Sequence, residues 1–290
     1  MLGFLNINKP PGWTSRDVVN RVQRLVRPAR AGHAGTLDPL ATGVLVVGVG
    51  RATRILKYVQ QKPKRYEATF LLGRTSQSDD TETEMSEVAG AKVPTQVEIE
   101  KLLPRFFGSI EQRPPAYSAI KVAGRPAYAL AREGKEVSLS LRTVEVFNLS
   151  IVRYEYPELK ITIECGSGTY VRSLGRDLAE SLGTGAVMSQ LTRTAIGEFT
   201  LDKSMTVEEL TQDRVAEKLF SLAAAVSHLP QLSLTSEQIR ELEFGRPIAV
   251  EKYPLATDLA GIDGQGQLIA VLREKNPGLL ATYRNFAPSA

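Results

Sequence analysis

One aspartate stands in the stretch Arg30-Ala31-Gly32-His33-Ala34-Gly35-Thr36-Leu37-Asp38-Pro39-Leu40-Ala41-Thr42-Gly43-Val44-Leu45. A carboxylate can attack an electrophilic carbon or take a proton, and both roles need it held still. Gly32, Gly35 and Gly43 allow backbone angles and close approaches closed to other residues, while Pro39 pushes Asp38 out of the helical region. Residues 44–49 then read as a short buried strand, apolar on both faces and bounded by glycines, which predicts rigid support beside the carboxylate. An isolated Asp-Pro step ordinarily marks only a turn, and a lone histidine such as His33 is ordinarily structural, so the chemistry rests on the whole string.

The flanking chain predicts how this loop is held. Residues 4–8 read as a strand and Lys9-Pro10-Pro11-Gly12 as a turn. Thr14 or Ser15 caps a helix carrying Val18, Val19, Val22, Leu25 and Val26 at helical spacing, stopped by Pro28. Residues 51–60 read as a second, basic helix. Tyr66 then opens a strand whose alternation is Tyr66, Ala68, Phe70 and Leu72. Residues 73–91 form a polar loop to which no role is assigned. Thr95 with Glu98 makes a capping box for a helix through Leu103, ended or kinked by Pro104. Residues 144–151 and 159–165 read as consecutive strands. Gly166-Ser167-Gly168-Thr169-Tyr170 turns into a helix with Val171, Leu174, Leu178 and Leu182 on one face and Arg172 at its start. Leu191-Thr192-Arg193-Thr194 continues as a strand, and Thr206 with Glu209 caps a further helix. Leu229-Pro230 marks a boundary between residues 1–229 and 230–290. The second part holds a helix at 236–244 stopped by Gly245, and a turn at Asp263-Gly264 before a strand at 268–272.

With 290 residues, 42% of them hydrophobic, the chain can bury a large core and a small second one. No apolar run reaches membrane-spanning length and the first residues lack a leader pattern, so a cytoplasmic protein is expected. Cys165 is the single cysteine and excludes an intrachain disulfide. The net charge of +4 is modest but uneven. Arg16, Arg21, Arg24, Arg27, Arg30, Arg51, Arg54, Lys57, Lys62, Lys64 and Arg65 crowd the first quarter and suit a phosphate backbone, or simply form solvated helix faces. Asp79, Asp80, Glu82, Glu84 and Glu87 form one acidic loop. Two histidines and one cysteine do not make a deaminase zinc site, and neither GxxxxGK[ST] nor G-x-S-x-G is present. No metal or cofactor is expected.

Gly32-His33-Ala34-Gly35-Thr36-Leu37-Asp38-Pro39-Leu40-Ala41-Thr42-Gly43 resembles the signature of the TruB family of bacterial tRNA pseudouridine synthases. Lys9-Pro10-Pro11-Gly12-Trp13-Thr14-Ser15 resembles that family's first motif, Lys64-Arg65-Tyr66 its Lys-x-Tyr motif, and Gly168-Thr169-Tyr170-Val171-Arg172-Ser173-Leu174 its arginine motif. A further match runs from Gln112-Arg113-Pro114-Pro115-Ala116-Tyr117-Ser118 through Lys121 to Gly134. The resemblance spans residues 3–197. It implies a mixed α/β (α+β) pseudouridine synthase fold: a central, largely antiparallel sheet flanked by helices, an RNA-gripping segment at about 105–135, and a small C-terminal PUA-like RNA-binding appendage. It implies isomerisation of the T-loop uridine of tRNA without cofactor, metal, membrane or obligatory protein partner. Asp38 would be the catalytic group, Tyr66 would pack against the everted base, and Arg172 would pair with Asp38. Lys9 would support the site, His33 would help hold the nucleotide everted, and Tyr117, Lys121 and Leu191 would contact it. Two routes stay open for Asp38: addition to the sugar, or removal of a sugar proton to form a glycal. Residues 75–80 match the family's Thr-Asp-Thr-x-Asp poorly. A guide-RNA-dependent synthase subunit shares the aspartate motif, and a non-catalytic tRNA-binding or RNA-folding protein is the alternative of another class.

Overall fold

A computed structural model describes residues 1–287 except Ala119, Ala123, Glu136 and Ser138. Ala119 and Ala123, within the segment expected to grip RNA, therefore lie outside the described residues. The chain begins with β1 (Gly3–Lys9), helix α1 (Ser15–Val26), β2 (Ala31–His33) and β3 (Thr42–Val49). Thr14 and Asp17 close a reciprocal capping box at the start of α1, and Val18, Val19, Val22 and Val26 form its buried stripe. β3 is buried on both faces, as its unbroken apolar run predicts: Leu45, Val47 and Val49 enter one core and Val44 and Val46 another.

Residues 51–60 depart from the expected helix. The chain winds as a 3-10 helix over Gly50–Ile55 before α2 (Leu56–Gln61). Ala52 and Ile55, three residues apart and both buried, are stacked on one side by the tighter winding.

β4 (Lys64–Leu72) leads into a hairpin of β5 (Arg74–Ser76) and β6 (Met85–Glu87), where the sequence suggested only a polar loop. There follow α3 (Gln96–Leu102), with the expected Thr95–Glu98 capping box, β7 (Gly108–Gln112), a small hairpin of β8 (Lys121–Val122) and β9 (Arg125–Pro126), and α4 (Ala127–Arg132). Next come β10 (Arg142–Glu155), β11 (Glu158–Cys165), α5 (Val171–Ser181), β12 (Ala186–Ile196), β13 (Phe199–Thr200) and β14 (Met205–Thr206). Ten strands make the main sheet in the order β14-β1-β3-β12-β4-β11-β10-β7, with β2 beside β3 and β13 beside β12. The β1–β14 and β3–β12 pairs are parallel and the others antiparallel. The fold is thus mixed α/β around a largely antiparallel sheet.

The helix expected behind Thr206 and Glu209 starts later. Those two residues do bond reciprocally, but the next helix, α6 (Gln212–Glu217), begins from its own cap at Thr211. Thr206 is still held in β14 against β1, which commits its backbone to the sheet.

After α7 (Leu222–Ala225) a second sheet forms from β15 (Gln231–Ser233), β16 (Ile248–Ala249), β17 (Leu259–Ile262), β18 (Leu268–Asn276) and β19 (Leu279–Asn285), with α8 (Ser236–Glu243) after β15. It has a core of its own around Leu242, Leu259, Ile269 and Leu280. Its other face packs Ala260, Leu268, Val271 and Phe286 against Val44, Val46 and Ile55 of the main body. Asp258 ties the two by accepting from the Tyr58 hydroxyl at 2.8 Å and pairing with Lys57 at 3.3 Å. Among the described residues no helix is long and apolar enough to cross a membrane.

Candidate active site

Asp38 lies in the loop between β2 and β3, and the loop is fastened on both sides of it. The Ser15 hydroxyl accepts from the Leu37 amide at 2.8 Å and donates to the Leu37 carbonyl at 3.1 Å. The Pro39 carbonyl accepts from the Gly12 amide at 2.9 Å and from Lys9 Nζ at 3.2 Å. Lys9 also donates to the carbonyls of Trp13 and Pro10, at 2.6 and 2.9 Å, and is fully buried. Where the loop enters β3, Gly43 has φ +97° and an added Cβ would lie 2.3 Å from the Arg193 carbonyl. No other residue fits there without moving β12.

The Asp38 carboxylate borders a cavity of about 300 Å³ whose walls also carry Tyr66, Tyr170, Arg172, Leu191 and Arg193. Arg172, only 5% exposed, sits 3.1 Å from Asp38 through Nη2 and 3.0 Å from Asp80 through Nη1. Its aligned hydrogen bonds go instead to the carbonyls of Ser78 at 2.7 Å and Tyr117 at 3.0 Å. The guanidinium is therefore fixed by backbone and shared between two carboxylates by charge. Asp80 has no exposure and its other oxygen accepts from the Ser78 hydroxyl at 2.5 Å and the Glu82 amide at 3.0 Å. Burial pushes the Asp38 carboxyl above the usual carboxylate range, Arg172 opposes this, and Asp80 adds to it.

Asp80 comes from the hairpin tip between β5 and β6, where the sequence offered no role. One turn along α5, Arg176 pairs with Asp79 at 2.7 Å. Arg172 and Arg176, four apart on one helix face, thus hold two consecutive aspartates. Asp79 adopts φ 59°, a left-handed conformation that Asp tolerates better than most residues. The adjacent acids opposite an i,i+4 arginine pair were the signal available in the sequence.

Tyr66 stands on β4, and burial pushes its phenol up despite Arg193 beside it. Tyr170 is a second aromatic wall, in a position for which the sequence assigns no role. Its amide donates to Gln112 at 2.7 Å and its carbonyl accepts from Gln112 at 3.0 Å, a buried side chain fixing the residue before α5. Leu191 lines the cavity.

Four residues expected at the site do not line this cavity. Lys9 is behind the Asp38 loop and donates to three carbonyls, so it braces the loop. His33 is half-buried in β2, opposite Val47, with its imidazole lowered chiefly by burial. Tyr117 meets the site through its carbonyl, while its hydroxyl donates to Gln77 at 3.3 Å. Lys121 is exposed on the β8–β9 hairpin. Among the described residues no three His, Cys, Asp or Glu side chains gather as metal ligands.

Residues 23–171 match the family model described as TruB family pseudouridylate synthase (N terminal domain), and residues 172–229 match tRNA pseudouridylate synthase B C-terminal domain. The chain is 49% identical over 239 residues to tRNA pseudouridine synthase B of Acaryochloris marina, covering 79% of this chain and 82% of that one. It is 40% identical to the protein of that name from Arthrobacter sp., covering 99% and 97%. A crystal structure of a Cbf5-Nop10-Gar1 complex superimposes with a TM-score of 0.78 at 26% identity, over 99% of this chain and 85% of the other.

Proposed function

Because the chain belongs to the TruB family of pseudouridylate synthases, and is thereby a tRNA pseudouridine synthase, we propose that it isomerises the T-loop uridine with Asp38 as the reacting group. The observation that carries the assignment of Asp38 is its placement: a carboxylate on a pinned loop, bordering a cavity, with a backbone-fixed arginine 3.1 Å away. The target uridine must leave the T-loop stack, which costs a few kcal/mol. Stacking on an aromatic face such as Tyr66 returns about 1–3 kcal/mol. Exposed Arg16, Arg21, Arg24 and Arg27 on and just after α1 supply sequence-independent phosphate contacts.

Once the ribose is beside Asp38, either the carboxylate adds to C1′ or it takes the C2′ proton. In both routes the C1′–N1 bond breaks and uracil turns within the cavity; C5 then bonds to C1′ as the Oδ–C1′ bond breaks or, in the glycal route, as the proton held by Asp38 returns to C2′, and the C5 proton leaves while N1 takes one up. Arg172 favours the ionised carboxylate that either step requires and holds its rotamer. Lys9 and Ser15 act by bracing the loop. His33, Tyr117 and Lys121 border the RNA-facing side as outer contacts, and residues 230–290 form a separate RNA-binding appendage. We infer that it works in the cytoplasm, on the tRNA there.

The test is pseudouridine mapping of unmodified tRNA transcripts after incubation with the purified chain, without guide RNA, metal or other protein. Wild type should modify the T-loop uridine and Asp38→Asn should modify nothing. Likeness to a protein crystallised within a Cbf5-Nop10-Gar1 complex favours a second reading, activity only inside an assembly. Binding of transcripts by the wild-type chain with every uridine unchanged would move that reading ahead.

A further inference from the structure

Two cations of the cavity take no part in the chemistry described so far. Lys64 and Arg193 both line it, at 6% and 2% exposure, yet neither has a carboxylate within 4.0 Å among the described residues. Arg193 donates from Nε to the Val44 carbonyl at 2.7 Å and from Nη2 to the Gly35 carbonyl at 3.2 Å. Lys64 Nζ donates to the Gln60 carbonyl. Arg193 pairs in register with Tyr66 across β12 and β4, and Lys64, two residues before Tyr66, projects from the same face of β4. Burial lowers Lys64 to about 8, and Arg193 beside it works in the same direction. Two buried like charges with no carboxylate in direct contact are costly in an empty site. Their location tells which part of a substrate offsets that cost. Asp38, which must meet the ribose, has 34% of its side chain open to solvent, whereas Lys64 and Arg193 are almost closed off from it. An everted nucleotide enters base first, so the least exposed cations of the wall suit the ring, while the phosphates stay outside.

We propose that Lys64 and Arg193 form the cationic end of the cavity, which holds the uracil carbonyl oxygens and takes up the negative charge the ring acquires when the C1′–N1 bond breaks. The inference rests on the synthase reading above and holds for both routes. If Asp38 adds to C1′, an Oδ–C1′ bond forms, the C1′–N1 bond breaks, and its electron pair leaves on uracil, spread over N1, O2 and O4. If Asp38 takes the C2′ proton, the C2′–H pair becomes the C1′=C2′ double bond and N1 leaves with the same electrons. The ring is an anion in each case. Negative charge passes from the carboxylate beside Arg172 to the ring beside Arg193 and Lys64. Fixed donors aimed at charge that develops during the reaction stabilise the transition state more than the bound substrate.

The experiment is single-turnover conversion of unmodified tRNA at saturating enzyme, with tRNA affinity measured in parallel, for wild type, Lys64→Met, Lys64→Gln and Lys64→Arg. Met matches the lysine stem, and replacing a buried charge by an apolar group of similar volume is commonly neutral for folding. Gln is the second uncharged variant and keeps a donor for the Gln60 carbonyl. Both uncharged variants should lose roughly 10²-fold in rate, the scale of one removed transition-state donor, and Lys64→Arg should recover most of it. Their affinity for tRNA should stay within about twofold of wild type, since charge on the ring appears only during reaction. Wild-type rates in folded Lys64→Met and Lys64→Gln would overturn the inference. So would a loss confined to affinity, which would make the pair a phosphate-binding site. In both cases active wild type leaves the synthase reading intact. Wild type that forms no pseudouridine would overturn that reading and this inference with it.

Discussion

Asp80→Asn separates the two things Asp80 does, because asparagine keeps its volume and can keep its bonds to Ser78 and Glu82 while removing its charge. In the native protein Arg172 lies between Asp80 at 3.0 Å and Asp38 at 3.1 Å, with 0% and 34% of those side chains exposed. Removing one partner from a buried ion pair costs about 3–5 kcal/mol. Arg172 would keep Asp38 and two carbonyl acceptors, so the lower end, about 3 kcal/mol, is expected. For a chain of this size that corresponds to a fall in Tm of roughly 6 °C. The second effect is on Asp38. Asp80 helps raise its carboxyl, although burial is the larger cause. Without that repulsion the Asp38 carboxyl ionises more readily, so the acid limb of activity moves to lower pH, and burial keeps the move partial. Thermal melting and single-turnover rates across the acid range read both effects. A melting temperature within about 1 °C of wild type, or an acid limb displaced upward, would refute this account of how Asp80 and Arg172 hold the site.

Asp38→Asn should abolish product yet bind tRNA and melt no lower than wild type at neutral pH. The sign follows from its raised carboxyl: the native state binds that proton more tightly than the unfolded chain, so stability is fullest below the ordinary carboxylate range and is lost as pH rises through the folded value. Equal melting temperatures should therefore return in acid, and a lower one at neutral pH would contradict the reading. Gly175→Ala should destabilise by more than about 3 kcal/mol in urea unfolding, because its Cβ would lie 1.9 Å from the Phe70 ring at the contact of α5 with β4. Asp258→Ala should cost roughly 2 kcal/mol by leaving the Tyr58 hydroxyl without its acceptor, and should speed hydrogen exchange in β17–β19 before the main sheet. Affinity for tRNA should fall steeply with added salt, and an unchanged Kd between low and moderate salt would remove the electrostatic role given to α1.

Local rules made much of this protein legible from its residues alone. The Thr14–Asp17 and Thr95–Glu98 boxes, the valine stripe of α1, the two-faced apolar run of β3 and the turn into α5 depend on neighbours a few residues apart, so they can be read from spacing. Asp38, Tyr66 and Arg172 were singled out by contiguous motifs for the same reason. Contacts between distant segments were not legible. Asp80 is 92 positions from Arg172 in sequence, in a stretch that departs from the family pattern, and its burial is set by a hairpin tip folding under α5. Sequence does not say which way the Lys9 ammonium points; three carbonyls turn it inward, where it braces the Asp38 loop. Tyr170 and Arg193 became cavity walls only when β11, α5 and β12 were laid beside β3 and β4. Helix caps and strand runs are short-range, low-entropy choices already written in the residue order, whereas a shared buried charge network requires the chain to close long loops first, and its members are chosen by packing.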